Sequence, residues 1–251
     1  MTAIGVFVAT RWELSAVRQA FASTDLQIVG GVRCHVARQS QIEWWMIPMG
    51  VGPERAAATA SKVLGAKRLN ALWSTGFACA LGPAVIGAVL VGTGVTRIDG
   101  VTPGQPVACA PSMVEWVRQA VKAKGIETQC GGFVTVPRVL CRAEEKRAVA
   151  DLVKGVGLDM ESAALGQVAT AQGIPFAIVR TVSDLVDESL PLDFNLFLRP
   201  SGWAKGVATC VAHPSSLIGL NRLRVQSRIA GEQLTSLYRA CADRASHQGI
   251  A

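Results

Sequence analysis

Histidine is nearly absent: the 251 residues hold three, His35, His213 and His247, far apart along the chain. That spacing argues against a histidine-based metal site or a histidine-activated nucleophile. Cysteine numbers seven, an odd count with no Cys-x-x-Cys, which argues for reduced thiols in the cytoplasm rather than a disulfide framework and against a zinc site. Only 17% of residues are charged while half are hydrophobic, which excludes a disordered chain. Net charge is +7, yet Lys and Arg are scattered without aromatic interleaving or a nucleic-acid motif, so no nucleic-acid partner is expected. Met1 to Ala9 is short and lacks the basic start of a signal peptide. No charge occurs between Asn70 and Arg97, but Ser74, Thr75, Pro83 and several glycines punctuate the stretch. Two buried strands joined by a turn fit that punctuation better than a membrane span.

What is present is an alternation of strands and helices. Ala3 to Ala9 reads as a buried strand and Arg11 to Phe21 as a helix, with Trp12, Leu14, Val17 and Phe21 at roughly helical spacing. Val32 to Arg38 and Ile42 to Pro48 read as strands paired across Gln39-Ser40. Met49-Gly-Val-Gly52 is a glycine turn into an alanine-rich helix from Pro53 to Leu64; such a turn can cradle an anion, although Gly-x-Gly alone is weak. Further strands are expected at Ala71–Thr75, Gly87–Thr96, Gly132–Val136 and Pro175–Val182. Helices are expected at Ser112–Lys124, Ala143–Val153 and Ala163–Gln172. The pattern implies an α/β domain around a mostly parallel or mixed sheet.

Two stretches concentrate the chemistry: Gly157-Leu-Asp-Met-Glu-Ser162 and Arg180-Thr-Val-Ser-Asp184. Asp159 and Glu161 lie at a strand-to-helix junction, and Asp184 ends a strand that is apolar except for Arg180 and Thr181. Ligands of open α/β sheets bind outside the carboxyl ends of strands, so two carboxylate-bearing strand ends suit acid/base work on a small ligand. Glu13 stands at a third such end. Each carboxylate also has a plain structural reading, as a helix cap or a first-turn acid favoured by the helix dipole.

After Asp184 the character changes. Asp187 to Pro200 is an apolar-acidic loop. From Pro214 a long helix sets Leu217, Leu220, Leu223, Ile229, Leu234, Leu237 and Cys241 against Arg222, Arg224, Arg228, Arg239 and Arg244. That helix is either packed on the sheet with a solvated basic face or a basic amphipathic element at a lipid surface.

With these residues in hand, the chain resembles the nucleoside phosphorylase/nucleosidase superfamily, closest in layout to the methylthioadenosine/S-adenosylhomocysteine nucleosidases. The resemblance rests on Ile4-Gly5 with Glu13, Gly50-Val-Gly52, Ser74-Thr-Gly76, Asp159-Met-Glu-Ser162 and Ser183-Asp184, in that order over most of residues 1–187. The tail, Leu198-Arg-Pro-Ser-Gly202 with His213-Pro214 and the basic helix, resembles a narrower branch, the hopanoid-associated phosphorylases, proposed adenosylhopane nucleosidases.

The resemblance implies a three-layer α/β/α fold around a central mixed sheet, over residues 1–187. Residues 188–251 would form a loop and a C-terminal basic amphipathic helix packed on the same domain. It implies cleavage of the N-glycosidic bond of a 5′-modified adenosine, with adenosylhopane the favoured substrate and a soluble methylthioadenosine/adenosylhomocysteine nucleosidase or a non-catalytic nucleoside-binding module the rivals. Asp184 would be the acid toward purine N7 and Glu13 the group activating water. Glu161 would accept from the ribose hydroxyls, Met160 would pack on the sugar, and Ser183 would orient Asp184. Asp159 would belong to the binding set, and the main chain of Phe77, Ala78, Cys79 and Leu158 would line the base. Two departures stand out: Phe77 replaces the usual small polar residue after Thr-Gly, and Cys79-Ala80 replaces Gly-Gly, which implies a tighter, more apolar pocket. Hydrolysis is favoured, because a carboxylate at Glu13 would repel phosphate; phosphate as a co-substrate stays open, with Arg11 nearby. No cofactor or metal is implied. A homodimer is expected, cytoplasmic or peripheral to the inner face of the membrane, with Trp44, Trp45, the loop Leu190 to Leu198 and the last helix forming a lipid-accepting surface.

Overall fold

The computed structural model describes residues 1–100, 102–198 and 215–247. Its strands are β1 (Thr2–Val8), β2 (Asp25–Val29), β3 (Val32–Gln39), β4 (Ile42–Pro48), β5 (Ala71–Ala80), β6 (Val89–Asp99), β7 (Thr102–Pro103), β8 (Val107–Ala108), β9 (Thr128–Thr135), β10 (Gly157–Asp159) and β11 (Phe176–Leu185). Its helices are α1 (Arg11–Arg18), α2 (Pro53–Ala66), α3 (Pro111–Lys122), α4 (Ala143–Leu152), α5 (Ser162–Ala171), α6 (Asn195–Leu198) and α7 (Ser215–His247). The hopanoid-type tail motifs, Arg199 to Gly202 and His213-Pro214, lie outside the described residues.

The strands form one mixed sheet in the order β10-β9-β6-β11-β5-β1-β4-β3-β2. β1, β4, β5 and β11 run parallel, β6 is antiparallel to β11, and β10 pairs with both β9 and β5. The sheet therefore curls until β10 meets β5, which brings the carboxyl ends of β5, β10 and β11 to one place. Strands buried on both faces read as continuous apolar runs, as β1 and β11 do.

Helices cover both faces, giving the three layers. On one side α1, α3 and α7 pack Val17, Trp116, Leu234, Leu237, Tyr238 and Cys241 against Trp44 and Trp73. On the other, α2 and α5 pack Ala56, Ala60, Val63, Leu165 and Ala169 against Phe7, Leu72 and Ile178. The second half of α7, from Ala230 to Ala245, is thus part of the principal core.

Several expectations need correction. Trp44 is fully buried and stacks edge-on against Trp73 and Tyr238. Trp45 is also buried, donates Nε1–H to Glu43 Oε2 and lies under the Lys67 ammonium. Neither can meet lipid; both are core residues, as aromatic side chains of strands usually are. Leu192 of the apolar loop is buried too. Arg244 is half-buried, lies over the Trp116 ring and donates to Gln119. β5 runs five residues beyond its expected end at Thr75, and Asp25–Val29 forms an edge strand that the alternation did not single out.

Candidate active site

The site is built on two neighbouring parallel strands, β5 and β11, whose registers place Arg180 beside Gly76 and Asp184 beside Cys79. A bulge between Val182 and Asp184 re-aims the strand end, a device common beside active sites. About 10 Å of strand separates the two levels, at about 3.3 Å per residue.

At the first level, Glu13 arrives from the start of α1. Thr10 caps that helix, its hydroxyl accepting from the Glu13 amide at 3.2 Å, and Glu13 Oε2 accepts in return from the Thr10 amide at 2.7 Å. This capping box is the plain structural reading of Glu13, and it holds. It does not exhaust the residue, because Oε1 reaches across to accept the Phe77 amide at 2.8 Å. Gly76 makes this approach feasible: its φ of +139° lies where L side chains are strained, and a Cβ there would overlap Glu13 Oε1. Glu13 is therefore a buried carboxylate fixed against the strand end.

Arg180 is the centre of this level and is 1% exposed. Its Nε lies 2.8 Å from Asp159 Oδ2, and Nη2 lies 3.5 Å from Glu161 Oε2. Nη1 donates to the Phe77 carbonyl at 3.0 Å and Nη2 to Ser74 Oγ at 3.0 Å. Burial works against the charge, but the Asp159 and Glu161 carboxylates, then Glu13, hold the guanidinium above its ordinary range. Ser74, Ser162 and Asp159 continue the chain of bonds, and Ser162 Oγ donates to Asp159 Oδ2.

Asp159 is already saturated. Thr135 Oγ1 donates to it at 2.6 Å, the amides of Glu161 and Ser162 donate at 3.3 and 3.2 Å, and Arg180 and Ser162 occupy the other oxygen. The Asp159 oxygens are thus engaged by the first amides before and in α5 and by Arg180. Glu161 differs. It accepts the Gly52 amide at 2.9 Å on Oε1, with Arg180 more distant on Oε2. The glycine turn at Gly50-Val-Gly52 thus receives an anion, but it is the protein's own carboxylate. Three buried carboxylates share one guanidinium, and burial pushes Glu161 up to about 7, against the pull of Arg180.

At the second level, Asp184 Oδ1 accepts from Ser183 Oγ at 2.9 Å. Oδ2 is held by Lys146 Nζ at 2.5 Å. The ammonium makes two further bonds, to the carbonyls of Leu185 at 3.2 Å and Glu188 at 2.8 Å, and Lys146 is 1% exposed. Asp184 is not the isolated carboxyl in an apolar strand end that its sequence context suggested. The Cys79 thiol beside it is raised by burial and then by the Asp184 charge, which favours the thiol over the thiolate.

The remaining expected residues fall as follows. Ala78 accepts from Ser183 Oγ at 3.4 Å, and Leu158 pairs with Cys79 across β10 and β5, so both frame Asp184. Met160 is half-buried between Asp159 and Glu161. The Phe77 ring packs into the α1–α7 cluster, near Gly231 and Ala16. There it lines the cleft between α1 and α7. Arg180 and Lys146 were assigned no role from the sequence. The signals were there: one charge in an apolar strand, and a lysine on the apolar stripe Ala143, Lys146, Val149, Ala150 of α4. Among the described residues no cluster of His, Cys, Asp and Glu could hold a metal, and no helix is long and apolar enough to cross a membrane.

Comparison with known proteins follows the same outline. Residues 3–200 match the model of the phosphorylase superfamily. A 5′-methylthioadenosine/S-adenosylhomocysteine nucleosidase of Haemophilus ducreyi is 24% identical over 209 residues, 78% of this chain and 90% of the relative. Among solved structures, S-adenosylhomocysteine nucleosidase of Streptococcus pyogenes, in complex with 5-methylthiotubericidin, superposes with a TM-score of 0.73 at 19% identity, covering 95% of this chain and 96% of that one. The futalosine hydrolase of Helicobacter pylori gives 0.71 at 15% identity, covering 96% and 97%.

Proposed function

The chain belongs to the phosphorylase superfamily, and from that premise we propose that it cleaves the N-glycosidic bond of a 5′-modified adenosine and releases adenine by hydrolysis. The observation that carries the reading is the two-level arrangement: Glu13, Glu161 and Arg180 around Gly76, and Asp184 at the Cys79 level of the same strand pair. Breaking the bond passes through an oxocarbenium-like sugar, which needs an acid at the leaving base and a carboxylate guiding the nucleophile.

In this reading Asp184 gives a proton to purine N7 with Ser183 fixing its carboxyl. Glu161 accepts from the ribose hydroxyls with Met160 against the sugar. Glu13, held by its helix cap and the Phe77 amide, takes the proton of the attacking water. Hydrolysis is favoured over phosphorolysis because Arg180 is committed to Asp159, Ser74, Glu161 and the Phe77 carbonyl, and because Glu13 and Glu161 would repel a phosphate.

The finer substrate in this proposal is adenosylhopane. Two features support it besides the tail motifs. The first half of α7 carries exposed Ile218 and Val225 among Arg222, Arg224 and Arg228, a pattern suited to an anionic lipid surface. A cleft of about 680 Å³ between α1 and α7, lined by Trp12, Phe77 and Arg228, could house a bulky 5′ substituent. The second reading, a soluble methylthioadenosine/adenosylhomocysteine nucleosidase, is favoured by the relatives' names.

The test is adenine release by the purified protein with and without phosphate, from adenosine, methylthioadenosine, adenosylhomocysteine and adenosylhopane in detergent. Release from the lipid alone supports the finer reading. Release from the thioethers favours the second, and phosphate dependence overturns hydrolysis. No release from any of them would leave a nucleoside-binding module.

A further inference from the structure

Lys146 is buried, charged and remote in sequence from every motif discussed above. It comes from α4, and its three ammonium protons meet three acceptors: Asp184 Oδ2, the Leu185 carbonyl and the Glu188 carbonyl. An ammonium is removed from water only where such partners replace it, so the placement is specific. Two of those acceptors, on the last residue of β11 and on Glu188, bracket the turn that leaves the strand, and the third is the carboxylate assigned above as the acid. The turn is held again by Gln226 of α7, which donates to Glu188 Oε2 at 2.9 Å, and by Ser189 Oγ, which accepts the Ala143 amide at 3.1 Å. Other charged or titratable groups near the pair are Cys79 on β5 and Glu188 on the turn, while Arg147 and Asp187 pair with each other at the surface.

We propose that Lys146 is a positioning residue for departure of the base; the inference rests on the reading of Asp184 as the acid. When the C1′–N9 bond breaks, its electron pair stays on the purine. The ammonium favours the Asp184 carboxylate in the resting site, so the proton that Asp184 hands to N7 is one it takes up from solvent when the nucleoside binds. Water oxygen bonds to C1′, and the water proton passes to Glu13. Asp184 therefore ends the step as a carboxylate, and the ammonium at Oδ2 stabilises that charge as it forms. A preorganised charge in a water-excluded site acts more strongly than it would in solvent. The same contact fixes which carboxyl oxygen is left to face the base, since Ser183 holds the other from the side.

The experiment compares two leaving groups in wild type, Lys146→Met, Lys146→Gln and Asp184→Asn. One is the adenine of the best nucleoside from the release assay. The other is p-nitrophenolate from p-nitrophenyl riboside, which leaves without being protonated. Lys146→Met should lower kcat for the nucleoside by about 10²-fold, the lower range for a general acid, with KM nearly unchanged. Turnover of the nitrophenyl riboside should stay near wild type. Lys146→Gln keeps N–H donors for the two carbonyls but no charge, and should behave like Lys146→Met. Equal losses on both substrates in both variants, or full nucleoside turnover in Lys146→Gln, would overturn the proposal. If Asp184→Asn shows the selective loss and the Lys146 variants do not, Lys146 alone is refuted. If Asp184→Asn keeps nucleoside turnover, the reading of Asp184 fails, and this inference with it.

Discussion

Replacing Glu161 by Gln should stabilise the protein in alkaline solution and leave it little changed in acid. Glu161 is 4% exposed and shares Arg180 with two other carboxylates, so burial raises it from 4.5 to about 7. In the unfolded chain the group ionises near its ordinary value. Between these limits the folded protein binds the extra proton, so stability from this group is present in acid, falls as pH rises from 4.5 to 7, and stays lost above 7. The gap amounts to about 3 kcal/mol. Glutamine cannot ionise and carries no such slope. It also retains an acceptor for the Gly52 amide. Thermal melts of wild type and Glu161→Gln at pH 5 and pH 8 should therefore diverge. The variant should gain about 5–10 °C on wild type at pH 8 relative to pH 5, at about 2–4 °C per kcal/mol for a chain of this size. The same variant should bind nucleoside weakly, because an amide cannot accept from both ribose hydroxyls while keeping its bond to Gly52. A pH-independent difference in melting temperature would refute the reasoning. A divergence of opposite sign would mean that Arg180 pairs with Glu161 more closely than with Asp159.

Gly76→Ala should abolish turnover and lower stability by about 1–3 kcal/mol, since a Cβ at φ +139° would push Glu13 off the Phe77 amide; adenine release and urea melts check it. Arg180→Met should cost about 3–5 kcal/mol, because Asp159 and Glu161 lose their shared buried partner; a smaller loss in urea denaturation would show that the serines alone satisfy Asp159. Glu13→Gln should keep the capping box but leave the Phe77 amide without its acceptor, so it should lower stability by about 1–3 kcal/mol and lose about 10²–10⁴-fold in kcat. Wild-type turnover in that variant would remove Glu13 from water activation.

The fold was legible from hydrophobic patterning. Apolar runs such as β1 and β11 show that they are buried on both faces, and their alternation with helices fixes a layered mixed sheet. What patterning could not carry was reach. It ended β5 at Thr75, where the alternation breaks on Gly76, because a glycine inside a strand reads as a stop unless the close approach of another chain segment is known. That segment is α1, 63 residues earlier, and its Glu13 carboxylate needs the missing Cβ. Trp44 and Trp45 failed for the same reason. An adjacent aromatic pair carries no label for which side faces out, and here one ring enters the core while the other turns under Lys67.

The site was legible at its carboxylates and illegible at its cations. Glu13, Glu161, Ser183 and Asp184 each sit in a short motif at a strand end, so local order alone brings them to notice. Arg180 and Lys146 do their work through partners 21 and 38 residues away, Asp159 and Asp184 in turn, and neither pairing leaves a local pattern. Each did leave a violation: a charge where a strand or a helix stripe should be apolar. A buried cation is tolerable only if buried anions surround it. The two violations therefore predict anionic partners, and the carboxylates of the motifs stand at neighbouring strand ends. Read together, a charged residue out of phase and a carboxylate cluster without a cation identify each other. That pairing rule would have placed Arg180 among Asp159, Glu161 and Glu13 before any coordinates. It would also have marked Asp159 as a partner of that cation, which it meets at 2.8 Å while Glu161 lies at 3.5 Å.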